Sequence, residues 1–333
     1  MTNKKLQKLV TDLEKKFGVN VVRKASDIQS RSMDRVSTGV VPLDVAIGGG
    51  YPVGRFIQLA GHESASKSTL AYHAIREFQQ YFEEIGEDKL CVIIQGEQGS
   101  YTNEYGDIIG INNDDLIVND SASMEEAFEV AVQLQRSELV GLIVIDSITS
   151  FPPEVEYESD MDKNIQMGIK PKLIGEYCRK FQSANNRLMR EDKMPCTVIA
   201  LNQIREKIGV MYGNPEYSPG GRELRHTSSL TINLRRGELI KLGKDSIIGQ
   251  EVHFKINKSK VSHQFVLGFW DFYFEEGGPV SKGHVDNFKA IVIEAVLMGI
   301  VEKSGAWYSY NDVKAQGIDK FVNILREDIP LYE

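Results

Sequence analysis

Cysteine is scarce. The 333 residues hold three, Cys91, Cys178 and Cys196, far apart and without the paired spacing of a zinc site. Cys91 and Cys196 lie in apolar runs, which reads as buried thiols in a reducing compartment. Long apolar stretches are also missing, and none approaches the roughly 20 residues a bilayer span requires. The amino-terminal MTNKKLQKLVTDLEKKFG mixes charge with spaced apolar residues, unlike a secretory signal. The expectation is a cytoplasmic chain without a membrane partner. A basic excess is absent too: 39 Lys and Arg against 47 Asp and Glu leave a net charge of −8. Nucleic-acid binding relies on neutralising phosphates, so any such site must be a local basic surface. No internal repeat or low-complexity tail is present.

What remains is an ordinary globular composition, 41% hydrophobic and 26% charged, long enough for one large core with small appendages. Leu6, Leu9, Val10, Leu13 and Phe17 follow helical spacing and predict an amphipathic helix over 3–17. Its apolar stripe has no evident partner in a domain of its own. Residues 24–35 read as a linker. From about 36 to 270, the apolar runs FIQLA (56–60), LCVIIQ (90–95), DLIV (115–118), LIVID (142–146) and TVIAL (197–201) alternate with helix candidates at 67–84, 123–138 and 170–190. Buried strands separated by helices predict an α/β fold with a mostly parallel sheet covered on both faces. SLTINLRR, EVHFKIN and FVLGFWDFYF alternate and lie closer together, which predicts antiparallel strands at that end. The last stretch carries one helix (285–300) in a small α/β appendage. The expected division is 1–35, 36–274 and 275–333.

The sharpest local signal is Gly61-His62-Glu63-Ser64-Ala65-Ser66-Lys67-Ser68, followed by Thr69, between a strand and a helix. A loop in that setting turns backbone N–H groups and the positive helix end toward a phosphate. Lys67 would reach the β/γ-phosphates of ATP, and Ser68 would hold Mg²⁺. The pattern wants glycine where Ser66 stands, because glycine allows torsions and close approach that a side chain hinders. An ordinary strand–loop–helix connection is the bland alternative for this octamer. Asp146, closing the strand LIVID, suits the Mg²⁺ shell, and Glu97, after LCVIIQ, suits activation of the attacking water. Three strand ends converging on one sheet edge favour a nucleotide site.

With GHESASKST, GEQG, IDSITSFPPEVE, LNQIREKIGVMYGNPEYSPGGRELRHTSSLTINLRR and GAWYSY, the chain resembles the bacterial RecA recombinases in collinear order over nearly its whole length. The resemblance implies a RecA-type P-loop ATPase core with a mostly parallel central sheet, an N-terminal polymerisation helix and a small C-terminal α/β domain. It implies DNA-dependent ATP hydrolysis, helical filaments on single-stranded DNA, pairing with double-stranded DNA, and a single-strand-binding protein as a further partner. On this resemblance Lys67 and Ser68 contact phosphate and Mg²⁺, Asp146 supplies the second Mg²⁺ ligand and Glu97 the catalytic base. Gln203 senses the γ-phosphate, Tyr105 stacks on adenine, and Lys258 with Lys260 enter the neighbouring subunit's nucleotide. Two lysines at i, i+2 on a strand share a face; without the resemblance they would read as a solvated face.

The resemblance also assigns 204–221 to DNA. Gly209, Gly213, Pro215, Pro219, Gly220 and Gly221 deny this segment regular structure, yet Ile208, Val210, Met211 and Tyr212 are too apolar for an idle loop. Such side chains wedge or stack between bases while Arg205 or Lys207 meets phosphates. From 205 to 236 six basic residues face three acidic ones, which supplies the local basic surface. The resemblance places a first DNA loop around 155–167, but that run is acidic (Glu154, Glu156, Glu158, Asp160, Asp162) with Lys163 as its only base. Lys172 and Arg179, on one face of the next helix, match family positions near DNA and could do more of the work.

Three departures from the family pattern stand out. Ser66 puts the pace of hydrolysis in question, although phage-encoded relatives also lack that glycine. His226 replaces the usual interface phenylalanine and bears on cooperativity. The sequence ends at Pro-Leu-Tyr-Glu instead of a long acidic tail, which implies freer duplex access. The rival readings are a weakly or non-hydrolysing DNA-binding scaffold or regulator, a hexameric helicase and a small-molecule kinase.

Overall fold

The computed structural model describes residues 4–23, 34–157, 168–206, 216–244 and 246–328. Its frame is a nine-stranded sheet. Along the chain these strands are β1 (Phe56–Gly61), β2 (Leu90–Gln95), β3 (Leu116–Asp120), β4 (Val140–Asp146), β5 (Thr197–Gln203), β6 (Leu230–Leu242), β7 (Ser246–Ser259), β8 (Leu267–Tyr273) and β9 (His284–Val285). Their order across the sheet is β9-β8-β7-β6-β1-β5-β4-β2-β3. The pairings from β6 through β1, β5, β4 and β2 to β3 are parallel. Those joining β6, β7, β8 and β9 are antiparallel. This is the predicted architecture, including the change of character after residue 230.

Burial on both faces explains why the parallel strands read as unbroken apolar runs. In β1, Ile57 and Leu59 join one core with Ile93, Val144, Ile199 and Leu201. Phe56 turns to the other face, with Val92, Ile94, Ile143, Ile145 and Val198. Each such side chain contributes about 1.5–3 kcal/mol on leaving water.

Helices α1 (Lys4–Phe17), α2 (Val41–Ile47), α3 (Lys67–Ile85), α4 (Asn103–Ile109), α5 (Met124–Arg136), α6 (Glu154–Tyr157), α7 (Ile169–Arg190), α8 (Gly221–Thr227), α9 (Asn287–Leu297) and α10 (Ile318–Asp328) complete the chain. The one-turn and two-turn helices α2, α4, α6 and α8 were not expected, since so few residues carry no periodicity to read. α3 packs Leu70, Ala71, Ala74, Ile75, Phe78 and Phe82 on the first core, and α5 and α7 cover the second. α1 buries no residue; Leu6, Leu9 and Phe17 are all about half exposed, so among the described residues nothing covers the stripe. All three cysteines are buried and free. Among the described residues no helix is long and apolar enough to cross a membrane.

The C-terminal part is richer than expected. Besides α9, it forms a three-stranded antiparallel sheet of Glu302–Ser304, Trp307–Tyr310 and Val313–Gln316, and then α10. Phe288, Val292, Val301, Ala315, Phe321, Val322 and Leu325 make its own core. Lys289 Nζ bridges to Asp271 on β8 at 2.7 Å, and Arg326 reaches buried Asp286 at 2.7 Å.

His73 on α3 joins two of these parts by hydrogen-bonding the Gly283 carbonyl at 2.9 Å. Burial pulls its pKa down to about 3, so the folded chain holds this imidazole neutral while the unfolded chain protonates it below about pH 6.5. Stability is therefore full above that pH and falls as pH drops toward 3, by about 2 kcal/mol at pH 5 from this residue. In urea titrations at pH 7 and 5, His73→Gln should lose that much less than the parent chain; an equal acid loss in both would refute the assignment.

Candidate functional site

Four parallel strands deliver the predicted residues to one edge of the sheet. β1 ends at Gly61 and its register partner on β5 is Gln203; β4 ends at Asp146, opposite Gln95 at the end of β2. Glu97 follows two residues after Gln95. Ligands of open α/β sheets bind at this carboxyl edge.

Between β1 and α3 the loop makes two left-handed turns without glycine, at Ser64 (φ 56°) and Ser66 (φ 59°). A non-glycine residue there costs about 1–2 kcal/mol. Ser66 stands at the N-cap of α3 but does not cap it with its side chain. Its Oγ accepts instead from Gln250 Nε2 of β7 at 2.8 Å, and the same amide donates to the Ser64 carbonyl at 3.2 Å. Gly61 has a different requirement: a Cβ there would meet the Leu234 carbonyl at 2.6 Å. Ala65 is buried. Lys67 Nζ folds back to donate to the His62 carbonyl at 2.7 Å. Burial lowers its pKa, against the pull of Asp146 and Glu63.

Ser68 Oγ donates to Asp146 Oδ2 at 2.7 Å. Burial raises the Asp146 pKa, Ser68 and Lys67 pull it back, and Glu97 repels it, so these four predicted residues share one electrostatic neighbourhood. One hydroxyl and one carboxylate, both hard oxygen donors, suit Mg²⁺, which completes its shell with waters and substrate phosphates. No cluster of three or more His, Cys, Asp or Glu that could hold a metal by itself exists among the described residues. Thr69 Oγ1 lies 3.4 Å from the Tyr105 hydroxyl, and the Tyr105 ring meets Tyr72 edge-on at 5.9 Å. Tyr105 is therefore beside the loop, partly buried on α4.

The same edge carries the stems of the segment 204–221. Ile204 N donates to the Gly61 carbonyl at 3.2 Å. Buried Asn202 accepts from Thr149 Oγ1 at 3.2 Å and donates to Ser218 Oγ at 2.8 Å and the Pro219 carbonyl at 2.7 Å. Gln58 of β1 also donates to Ser218, at 2.6 Å. His62 Nε2 lies 3.0 Å from Glu216 Oε1, whose other oxygen accepts from Arg235 at 2.6 Å. The His62 contact is the largest cause of a lowered Glu216 pKa. The loop between β1 and α3 thus touches both stems of the segment.

The family models place the chain. The RecA N-terminal domain matches residues 4–278 and the RecA C-terminal domain matches residues 290–333. The chain belongs to the RecA family. It is 35% identical over 326 residues to Protein RecA of Staphylococcus carnosus, covering 97% of this chain and 86% of that one. Protein RecA of Bacillus thuringiensis is 35% identical over 337 residues, covering 98% and 90%; that of Clostridium perfringens is 35% identical over 327 residues, covering 98% and 87%. RecA membership carries the family-level function of DNA recombination. It implies ATP with Mg²⁺, DNA, and further copies of the chain as ligands and partners.

The other predicted residues fall into three groups. Lys258 and Lys260 converge on the end of α8: Lys258 Nζ donates to the Arg225 carbonyl and, at 3.3 Å, to that of His226, which also accepts from Lys260 at 2.7 Å. They meet at one carbonyl, although the ladder slips beside Lys258 and Lys260 lies just past β7, so the strand-face rule does not by itself bring them together. Lys172 and Arg179 are exposed on α7. Lys207, Ile208, Gly209, Val210, Met211 and Tyr212 lie outside the described residues, as do Glu158, Asp160, Asp162 and Lys163. The expectation of no regular structure over 204–221 needs correcting at its ends, because Arg205–Glu206 pairs antiparallel with Glu216–Tyr217 and α8 begins at Gly221. Gly220 (φ 109°) and Gly221 (φ 82°) make that turn, and a Cβ on Gly220 would meet Leu224 at 2.5 Å. Sequence reading missed Gln250, Asn202, Gln58 and Glu216. Their only signal was a polar residue inside an apolar strand or next to a loop, which is uninformative until the strand order is known.

Proposed function

We propose that the chain is an ATP-driven strand-exchange recombinase of the bacterial type, acting in the cytoplasm as a helical filament on single-stranded DNA. The observation that carries this reading is the physical continuity between the phosphate loop and the stems of 204–221, through Gly61–Gln203, Gly61–Ile204 and His62–Glu216. A nucleotide held at Gly61–Thr69 moves the same backbone that presents the DNA segment.

In this reading the loop amides and Lys67 hold the phosphates, and Ser68 and Asp146 would hold Mg²⁺, which would supply charge neutralisation for phosphoryl transfer. Glu97 takes the proton of the attacking water, and Gln203 feels the γ-phosphate at the end of β5. Tyr105 borders the adenine. Lys258 and Lys260 serve a neighbouring protomer's nucleotide, and the unpartnered stripe of α1 docks on another neighbour. Residues 1–35 then serve polymerisation, 36–274 catalysis and DNA binding, and 275–333 an accessory role. DNA contacts come from Arg205, Lys207, Ile208–Tyr212, Gly220, Gly221, Lys172 and Arg179. ATP sits between subunits, so nucleotide state and filament geometry are coupled.

The test is ATP hydrolysis with and without single-stranded DNA, joined to strand exchange with homologous and heterologous duplexes. Stimulation with homology-dependent exchange is expected; stimulation without it would leave a DNA-dependent ATPase only. Ser66 favours the scaffold reading to the extent that its side chain crowds phosphate, and absent hydrolysis with intact DNA binding would select that reading. Glu216→Gln should retain ATP binding and lose DNA stimulation of turnover about threefold, since a charged hydrogen bond is exchanged for a neutral one. The ratio of turnover with and without DNA measures it, and an unchanged ratio would remove the His62–Glu216 contact from the coupling.

A further inference from the structure

Ser66 occupies the backbone conformation that glycine adopts freely and other residues avoid. Such a residue persists where its surroundings hold it. Here the holding group is visible. Gln250 is 7% exposed at the centre of β7, between Leu239 on β6 and Phe272 on β8. Its amide reaches across to the loop and donates both to Ser66 Oγ at 2.8 Å and to the Ser64 carbonyl at 3.2 Å. Ser64 and Ser66 are the two left-handed residues of the loop, so one side chain braces both strained positions. The brace also turns the Ser66 hydroxyl toward β7, where it accepts a hydrogen bond instead of capping α3.

We propose that Gln250 is a positioning residue for the nucleotide, which keeps the serine-bearing loop in the shape that phosphate requires. It acts through Ser66 and Ser64 and touches no reacting atom. The proposal rests on the reading of Gly61–Ser68 as the phosphate loop. It makes Gln250 and Ser66 an interdependent pair: a glycine at 66 adopts the left-handed turn unaided and has no hydroxyl to hold, so it needs Gln250 far less.

The experiment is a double-mutant cycle on the full chain with Gln250→Ala, Ser66→Gly and the two combined. KM and kcat for ATP with single-stranded DNA are read alongside affinity for a fluorescent ATP analogue. Gln250→Ala should raise KM and weaken analogue binding about tenfold, the loss of one good buried hydrogen bond with its partner stranded, while kcat changes less than about twofold because ground-state and transition-state binding suffer together. In the Ser66→Gly background the same substitution should cost at most about threefold, from the longer Ser64 contact alone. Thermal unfolding of each variant identifies any that fails to fold, and Gln250→Glu, which keeps the size and removes the donor, then takes the place of alanine in the cycle. An equal penalty in both backgrounds, or none in either, overturns the proposal while the phosphate-loop reading stands. A parent chain that binds no ATP, and is unaffected by Lys67→Ala, overturns both.

Discussion

Glu97→Gln should slow ATP hydrolysis by about 10²–10⁴-fold, the usual contribution of a positioned general base, with ATP and DNA binding kept. Gln95, two residues earlier on β2, pairs in register with Asp146, and the intervening Gly96 N donates to the Asp146 carbonyl at 3.1 Å. A Cβ at Gly96 would meet Ser150 Oγ at 2.8 Å, so the chain is pressed close to the segment after β4 before it releases Glu97. The Glu97 carbonyl then accepts from Ser100 N at 3.2 Å and Oγ at 2.9 Å, which fixes a turn and leaves the carboxylate exposed. Its charge reaches Asp146. Glutamine keeps the shape and loses the base. Single-turnover hydrolysis beside analogue binding separates the two quantities, and an unchanged rate would remove Glu97 from the role.

The second large effect is structural and functional at once. Asn202→Leu should cost the core about 2–4 kcal/mol, because a buried amide that bonds the Pro219 carbonyl, Ser218 and Thr149 is removed and all three partly buried groups lose a partner. Asn202 is fully buried, and its side chain joins the segment after β4 to the far stem of 204–221. With it gone, DNA should no longer accelerate hydrolysis, while ATP still binds at the loop. Urea midpoints and the DNA dependence of turnover check the two halves separately. Retained stimulation in a destabilised variant would confine Asn202 to stability.

How much of this was legible beforehand follows from the range of each interaction. FIQLA, LCVIIQ and LIVID were readable because a parallel sheet buried on both faces needs unbroken apolar runs, and 67–84 because a long helix shows its period. The one-turn and two-turn helices gave no such signal. The pairing of Arg205–Glu206 with Glu216–Tyr217 was hidden because glycines and prolines mark where a chain turns and say nothing of whether its ends meet.

The sequence by itself determined that a strand–loop–helix presents Lys67 and Ser68, that carboxylates stand at or just after the ends of two apolar strands, and that a basic, partly apolar loop follows LNQ. Those are local facts, set by neighbours along the chain. Only the tertiary structure decided that Gln250, 184 residues from Ser66, braces the loop, that His62 reaches Glu216 across 154 residues, and that Asn202 ties down Ser218 and Pro219. The order of strands across the sheet sets those contacts. A hydrogen bond between strands depends on which one lies beside which, and apolar patterning carries no record of that order.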